Sequence, residues 1–181
     1  MSVTSLSRPW QPSPPDRAAV ELRALQRDDH ASVLEIFAGL GARSRELRFL
    51  TPKPRLTSAD LRQLTAVDHH DHVAILALTA CDGRPIGVAR FVRDPLHADT
   101  ADVAVAVVDE WQDRGVGTLL ATALTERALE VGIRHFTLVM SQDNEAAVRL
   151  LHRTPGDIRR VAIDLESAEF VVTLDGAGAR R

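Results

Sequence analysis

The sequence predicts one α/β domain built on a mixed β-sheet, and three observations carry that prediction. Two apolar runs, Val73 to Cys81 and Ile86 to Arg93, flank Asp82-Gly83, the commonest kind of tight hairpin turn. A third run, Ala101 to Val108, feeds a glycine-punctuated turn and a long amphipathic helix, after which Phe136 to Met140 returns to strand pattern. Consecutive strands followed by a βαβ unit imply antiparallel and parallel pairs in one sheet rather than a purely parallel one. At 181 residues and 45% hydrophobic content, the chain is long and apolar enough to bury a substantial core as a single domain.

The elements follow in order. Val20 to Leu25 alternates as a first strand. Asp28 and Asp29 precede a helix whose apolar stripe is Val33, Ile36, Phe37 and Leu40, and either aspartate is expected to cap it; Gly39 and Gly41 end it. A basic segment over 43–50 forms a short helix before Pro52 and Pro54 break the chain. Thr57-Ser58-Ala59-Asp60 reads as a capping box opening a helix through about Val67. The long helix after the glycine turn carries the stripe Val116, Leu119, Leu120, Ala123, Leu124, Ala128 and Val131, with Gly132 as its C-cap. Asn144 to Arg153 is the next helix, and Val161 to Leu165 with Phe170 to Leu174 a closing hairpin. The domain is expected over 18–175. Residues 1–17, with Pro9, Pro12, Pro14 and Pro15, read as a mobile tail, and 176–181 as a second frayed end.

Composition excludes several classes. A net charge of −3 gives no general attraction to nucleic acid or to an anionic membrane. Cys81 is the only cysteine, so no intramolecular disulfide and no thiolate metal cluster is available, and a reducing cytoplasm fits. No apolar run approaches a transmembrane span, and the N-terminus lacks the apolar core of a signal peptide. The cluster His69-His70-Asp71-His72 lacks a helical i, i+4 pair or a further ligand set, so no metal is expected there. Trp10 and Trp111 are read as tail or packing residues.

The segment Gln112-Asp113-Arg114-Gly115-Val116-Gly117 carries the chemistry. A strand, a glycine turn and a helix N-terminus together present unpaired backbone N–H groups and the positive end of a helix dipole, a site for a pyrophosphate. It is not a P-loop, because no lysine follows the second glycine. It is not a dinucleotide fingerprint either, because the G-x-G-x-x-G order is absent.

The same six residues resemble the Q/R-x-x-G-x-G/A signature of the GNAT superfamily, the acyl-CoA-dependent N-acyltransferases. The resemblance implies a central, mostly antiparallel sheet of six to seven strands, splayed in the middle and flanked by about four helices. It implies acetyl-CoA as acyl donor, with its pyrophosphate on the backbone of Asp113, Arg114, Gly115, Val116, Gly117 and Thr118 and its pantetheine paired along Val105, Ala106 and Val107. One N–H of that strand would stabilise the oxyanion. Asn144 resembles the residue that contacts the pantetheine arm, and it also fits a helix cap. Arg153 lies where a basic residue reaches the phosphates. A narrower resemblance runs over 44–156: Ser44-Arg45 with Arg48-Phe49, Val67-Asp68 with Asp71-His72, and Gly87 through Asp94 are similar to the catalytic domain of bacterial protein lysine acetyltransferases that modify acyl-CoA ligases. The cyclic-nucleotide regulation of some of those enzymes is not carried over, and the chain is expected to be a stand-alone catalytic domain.

Those enzymes use a glutamate where this chain has Asp102, which makes Asp102 the candidate general base. Strand alternation sets Asp102 on one face with Ala104 and Ala106, and Val103, Val105 and Val107 on the other. The tyrosine that many superfamily members place seven residues after the asparagine is replaced by Leu151, and the chain has no tyrosine at all. Thr154-Pro155-Gly156 also departs from the usual single glycine. His72 is expected to bond in the core or line the acceptor site. The basic run Arg43, Arg45 and Arg48 reads either as a solvated face or as the recognition site of an acidic partner. The expected activity is acetyl transfer to a primary amine, a protein lysine first. A small amine is the alternative, and so is a degenerate acyl-CoA sensor; the protein would act as a monomer or homodimer.

Overall fold

A computed structural model describes residues 19–154, 156–163 and 167–174; the expected tails and Leu165 lie outside the described residues. The element order is β1 (Val20–Ala24), α1 (His30–Gly39), α2 (Ala42–Phe49), α3 (Ser58–Leu64), β2 (His72–Thr79), β3 (Pro85–Arg93) and β4 (Thr100–Val107). It continues with α4 (Val116–Glu130), β5 (His135–Ser141), α5 (Glu145–Leu151), β6 (Asp157–Ile163) and β7 (Ser167–Thr173). The strands form one sheet in the order β1-β2-β3-β4-β5-β7-β6. Every pair is antiparallel except β4–β5, which is parallel, so the mixed, mostly antiparallel sheet matches the expected fold class.

The parallel pair is also where the sheet splits. β4 and β5 are in register only at Thr100–His135, Ala101–Phe136 and Asp102–Thr137. Beyond Asp102 the strands part, while β4 stays paired to β3 through Val107. Helices cover both faces. Val33, Ile36 and Phe37 of α1 meet Val88 and Ala106 on one face, and Leu120 of α4 reaches Gly87 on the other. Residues of both layers, among them Ile36, Leu76, Ile86, Phe91, Leu120 and Leu124, are almost fully buried in one core. Among the described residues no helix is long and apolar enough to cross a membrane.

Gly87 lets α4 approach the sheet. A Cβ there would lie 3.0 Å from Leu120 Cδ1 and 3.1 Å from the Ala106 carbonyl oxygen, and the carbonyl belongs to the backbone and gives little. Gly87→Val is therefore expected to lower stability by about 2–3 kcal/mol through overpacking. Urea denaturation checks this, and a change within about 0.5 kcal/mol of wild type would contradict the packing described.

Local chemistry explains where elements differ from expectation. Asp29 stands at the N-cap of α1 but does not cap it with its side chain. Its carboxylate instead takes both guanidinium nitrogens of Arg23, at 2.6 and 2.7 Å, and the Gln26 N–H at 2.7 Å. A bidentate guanidinium pair adds a second charged bond and occupies both carboxylate oxygens, leaving the cap unmade. The β2–β3 connection is a five-residue turn, Ala80 to Arg84, rather than a two-residue Asp82-Gly83 turn; the Thr79 hydroxyl bonds Asp82, and the Gly83 N–H reaches the Thr79 carbonyl at 2.9 Å. The Thr57–Asp60 capping box forms as expected, but α3 stops at Leu64, and Val67 is buried beyond its end. β6 begins at Asp157, ahead of the expected Val161.

Candidate active site

The divergence of β4 from β5 opens a cavity of about 280 Å³. Val103 to Val107 form one wall and Leu138 to Met140 the other. The glycine turn, the start of α4 and α5 close the far end. In an antiparallel pair, successive residues alternate in the direction of their backbone polar groups. The Val108 N–H bonds the Ile86 carbonyl at 3.0 Å, so the backbones of Ala106 and Ala104 also face β3. Those of Val103, Val105 and Val107 face the gap. Of the three residues expected along the pantetheine, Val105 thus turns its N–H and C=O toward the opening and Val107 its N–H, the Val107 carbonyl being taken by the Gln112 amide. The Ala106 backbone is spent on Val88, which corrects its expected strand-like pairing; its methyl still lines the cavity.

At the far end, a one-turn 3-10 helix (Asp109–Trp111) leads into the turn. Gly115 is the N-cap of α4 with φ 85°, a left-handed conformation that only glycine adopts without strain. No side chain caps this end, and the first intrahelical bond runs from the Leu119 N–H to the Gly115 carbonyl at 3.0 Å. The N–H groups of Val116, Gly117 and Thr118 precede that bond and have no acceptor within the helix. Asp113 and Gly117 border the cavity, as does Thr118. Arg114 does not: its guanidinium lies over the Trp111 ring, 5.3 Å from the centroid. The Val116 side chain is buried in the core, so only its backbone is available to a ligand. Asn144 caps α5 by accepting the Ala147 N–H at 3.0 Å, and it lines the cavity together with Arg153.

Asp102 sits at the mouth of the split, as the last residue paired across it, and outside the cavity lining. Its carboxylate accepts a short hydrogen bond from the Thr137 hydroxyl, which ties the two diverging strands together and orients the acid. Because Arg90 pairs with Ala104, and Val92 with Asp102, the side chains of Asp102, Ala104, Ala106 and Arg90 share the face covered by α1. Leu151, at the position where the resemblance implies a tyrosine, is buried and lines the cavity with no hydroxyl to offer.

The His69–His72 run is held by local bonds. The Asp68 carboxylate accepts the N–H groups of His70, Asp71 and His72, and Asp71 pairs with Arg93 at 2.6 Å. His72 is buried, and its Nε2 has no partner among the described residues. Burial, followed by the charge of Arg90, holds its pKa below 6.5; a bond to the Ala66 backbone and the Asp68 charge offset part of this. Because the folded pKa is depressed, the unfolded chain binds more protons as pH falls. Stability from neutral His72 is complete above about pH 6.5 and is lost as pH drops toward the lower folded value. We expect this residue to contribute a slope of up to about 1.4 kcal/mol per pH unit in that window. His72→Gln should flatten the decline in urea denaturation between about pH 7.5 and pH 5. Parallel curves for the two proteins would refute the assignment.

Two side chains at the cavity, Gln112 and Arg149, have roles that were not anticipated, and a third, Arg48, comes from the basic run expected near an acceptor. Gln112 donates to the Val107 carbonyl at 3.1 Å and to Ser44 Oγ at 3.3 Å, tying the end of β4 to α2. Arg149 reaches Asp113 at 3.4 Å and so links α5 to the glycine turn. Arg48 lines the cavity from α2. The signature marks Gln112 without saying that its amide serves the fold. Arg149 carries no signal beyond an exposed helical arginine.

Comparison with known proteins agrees with this geometry. The sequence profile of the acetyltransferase (GNAT) family matches residues 42–155. The chain is 37% identical over 97 residues to Acetyltransferase Pat of Mycolicibacterium smegmatis, which covers 54% of this chain and 29% of that one. It is 36% identical over 123 residues to the mycothiol acetyltransferase of Nocardiopsis dassonvillei, covering 62% and 36%. The chain thus spans about a third of the length of these curated relatives. Among solved structures, the GNAT domain of S. lividans PAT superposes with a TM-score of 0.78 at 25% identity, covering 86% of this chain and 90% of that one. A split mixed sheet, an uncapped glycine-turn helix beside the split and a family profile over well over half the sequence lead to one conclusion: the chain belongs to the GNAT acetyltransferase family.

Proposed function

We propose that this protein transfers an acetyl group from acetyl-CoA directly to a primary amine, with a protein lysine as acceptor. The observation that carries the reading is a single cavity with two complementary edges. One is the uncapped N-terminus of α4; the other is the β4 edge that no strand covers, formed by the backbone N–H and C=O of Val105 and the N–H of Val107. The first suits a pyrophosphate. The second suits an amide-bearing arm laid along β4 as an added strand. Val116, Gly117 and Thr118 supply N–H groups to the phosphates, and Arg153 adds charge at the end of α5. Asn144 borders the arm while capping its helix.

Acetyl-CoA, when bound, supplies an activated thioester. The chain's own residues do the rest. Asp102, oriented by Thr137, takes a proton from the acceptor ammonium, leaving the amine free to attack. One of the N–H groups facing the gap on β4 donates to the carbonyl oxygen as it gains charge. With Leu151 in place of a hydroxyl, water protonates the departing thiolate, whose modest basicity needs no dedicated acid. The lysine acceptor is supported by the resemblance of 44–156 to bacterial protein lysine acetyltransferases and by the similarity to Pat. The similarity to a mycothiol acetyltransferase favours a small amine as the second reading.

Calorimetry with acetyl-CoA, run beside a thiol-release assay, tests both halves. The acceptor panel comprises an acyl-CoA ligase, lysine peptides and small amines. Micromolar or tighter binding with turnover on the protein acceptor is expected. Binding without thiol release from any acceptor would replace transfer with acyl-CoA sensing.

A further inference from the structure

The basic run of α2 divides sharply in the fold. Arg43 pairs with Asp143 and with Glu46. Arg45 donates to the Phe37 and Pro54 carbonyls at 3.1 and 3.3 Å and lies over the Phe37 ring. Arg48 makes no hydrogen bond or ion pair among the described residues, and its guanidinium rests against the Phe49 ring at 5.0 Å. Arg90 likewise has no acidic partner among the described residues, although it is largely shielded from solvent by the helices over β3. Both arginines line a second cavity of about 40 Å³ beneath α1 and α3, whose other walls are apolar. That volume holds two or three waters or one carboxylate.

Two guanidinium groups crowded into one apolar pocket are a costly arrangement. Burial, and then the charge of Arg90, press the pKa of Arg48 down to about 10. Arginine is the side chain that resists such pressure by losing solvation rather than its proton, and its planar fork matches a carboxylate. Like charges held together without a counter-ion are what an anion site looks like before its anion arrives. The position is informative as well. Arg48, Ala106 and Leu40 border both cavities, so the arginine pocket opens beside the stretch of β4 along which the proposed donor lies. Asp102 lies on the same sheet face as Arg90. His72, also near Arg90, is held neutral and does not compete for an anion.

We propose that Arg48 and Arg90 form a carboxylate subsite of the acceptor pocket, so that the preferred acceptor bears a carboxylate within a few atoms of its reacting amine. This rests on the transferase reading above and names its substrate class. The carboxylate belongs either to an acidic residue beside the acceptor lysine of a protein or to a small amino acid.

Thiol release is measured with paired acceptors: lysine peptides flanked by Glu or by Gln, and ω-amino acids or their amides. Wild type is expected to favour the carboxylate member by at least tenfold in kcat/KM, chiefly through KM, with the better pair telling protein from small-molecule source. Arg90→Gln and Arg48→Gln should each erase the preference, and Arg90→Lys should restore part of it. Removing one of two unpaired like charges should leave the melting temperature of the free protein unchanged or raised, whereas a structural arginine would lower it. Equal kcat/KM for carboxylate and amide members in wild type would overturn the proposal. A second readout does not need turnover: glutarate should raise the melting temperature of wild type but not of Arg90→Gln, and glutaramide should raise neither. Glutarate protection with no thiol release from any acceptor would keep the subsite and reject the transferase reading. No protection alongside normal, indiscriminate turnover would do the reverse.

Discussion

Gly117→Glu is expected to weaken acetyl-CoA binding on the order of a thousandfold while leaving the free protein as stable as wild type, or more so. A Cβ at Gly117 would lie 3.7 Å from Leu150 Cδ2 and 3.9 Å from Val107 Cγ2, which is ordinary contact, so the first carbon fits. The rest of a glutamate would enter the cavity between β4 and α5 and bring a negative charge to the N–H groups of the α4 N-terminus. Two lost charge-assisted bonds at about 1.5–3 kcal/mol each give roughly 4 kcal/mol, or about three powers of ten. The effect on folding runs the other way. Glutamate has a helix propensity better than glycine by about half a kcal/mol or more, and a carboxylate in the first turn of a helix is stabilising. Calorimetry and thermal unfolding together therefore read opposite signs. A dissociation constant within tenfold of wild type would remove the α4 N-terminus from the donor site.

Asp102→Asn is expected to lower kcat by about 100- to 10,000-fold, the range of a general base, with acetyl-CoA affinity unchanged. Asparagine keeps the shape and still accepts from the Thr137 hydroxyl, so the substitution removes the proton acceptor and little else. A lysine amine titrates near 10.4, and solvent itself supplies the neutral amine as pH approaches that value. The deficit should therefore shrink steeply between about pH 7 and pH 10. Full turnover at neutral pH, or a deficit constant with pH, would show that Asp102 does not serve as the base.

Much of this architecture was legible in the chain because its signals are local. The α4 stripe, the glycine turn and the Thr57–Asp60 box each fit within a few turns of backbone, and each appears where the pattern put it. The Asp29 cap failed although its competitor is near in sequence: Arg23 lies across a turn on β1, and nothing in the spacing ranks that pair above a cap bond. The site divides in the same way. The backbone donors of α4 follow from strand, glycine and helix in sequence. The meeting of Arg48 with Arg90, 42 positions apart, needs the sheet and α2 to be assembled first. Likewise, the inward turn of Val105 and Val107 depends on which β4 residues bond β3, a phase that side-chain alternation does not set.

The early parting of β4 from β5 also bears on how the protein survives between turnovers. A strand with one unsatisfied edge is a template on which another chain can add a strand, and sheet proteins ordinarily cover such edges. Here the edge opens into a cleft, so it is shielded from a flat partner yet remains the least finished seam of the sheet. A molecule that lies along it completes the sheet and is bound only by the folded form. At a concentration a hundredfold above its dissociation constant, such a molecule adds about 2.7 kcal/mol to stability. Under the proposed function, the acyl donor would double as the missing strand, and the stability of the folded form would rise and fall with the donor's supply.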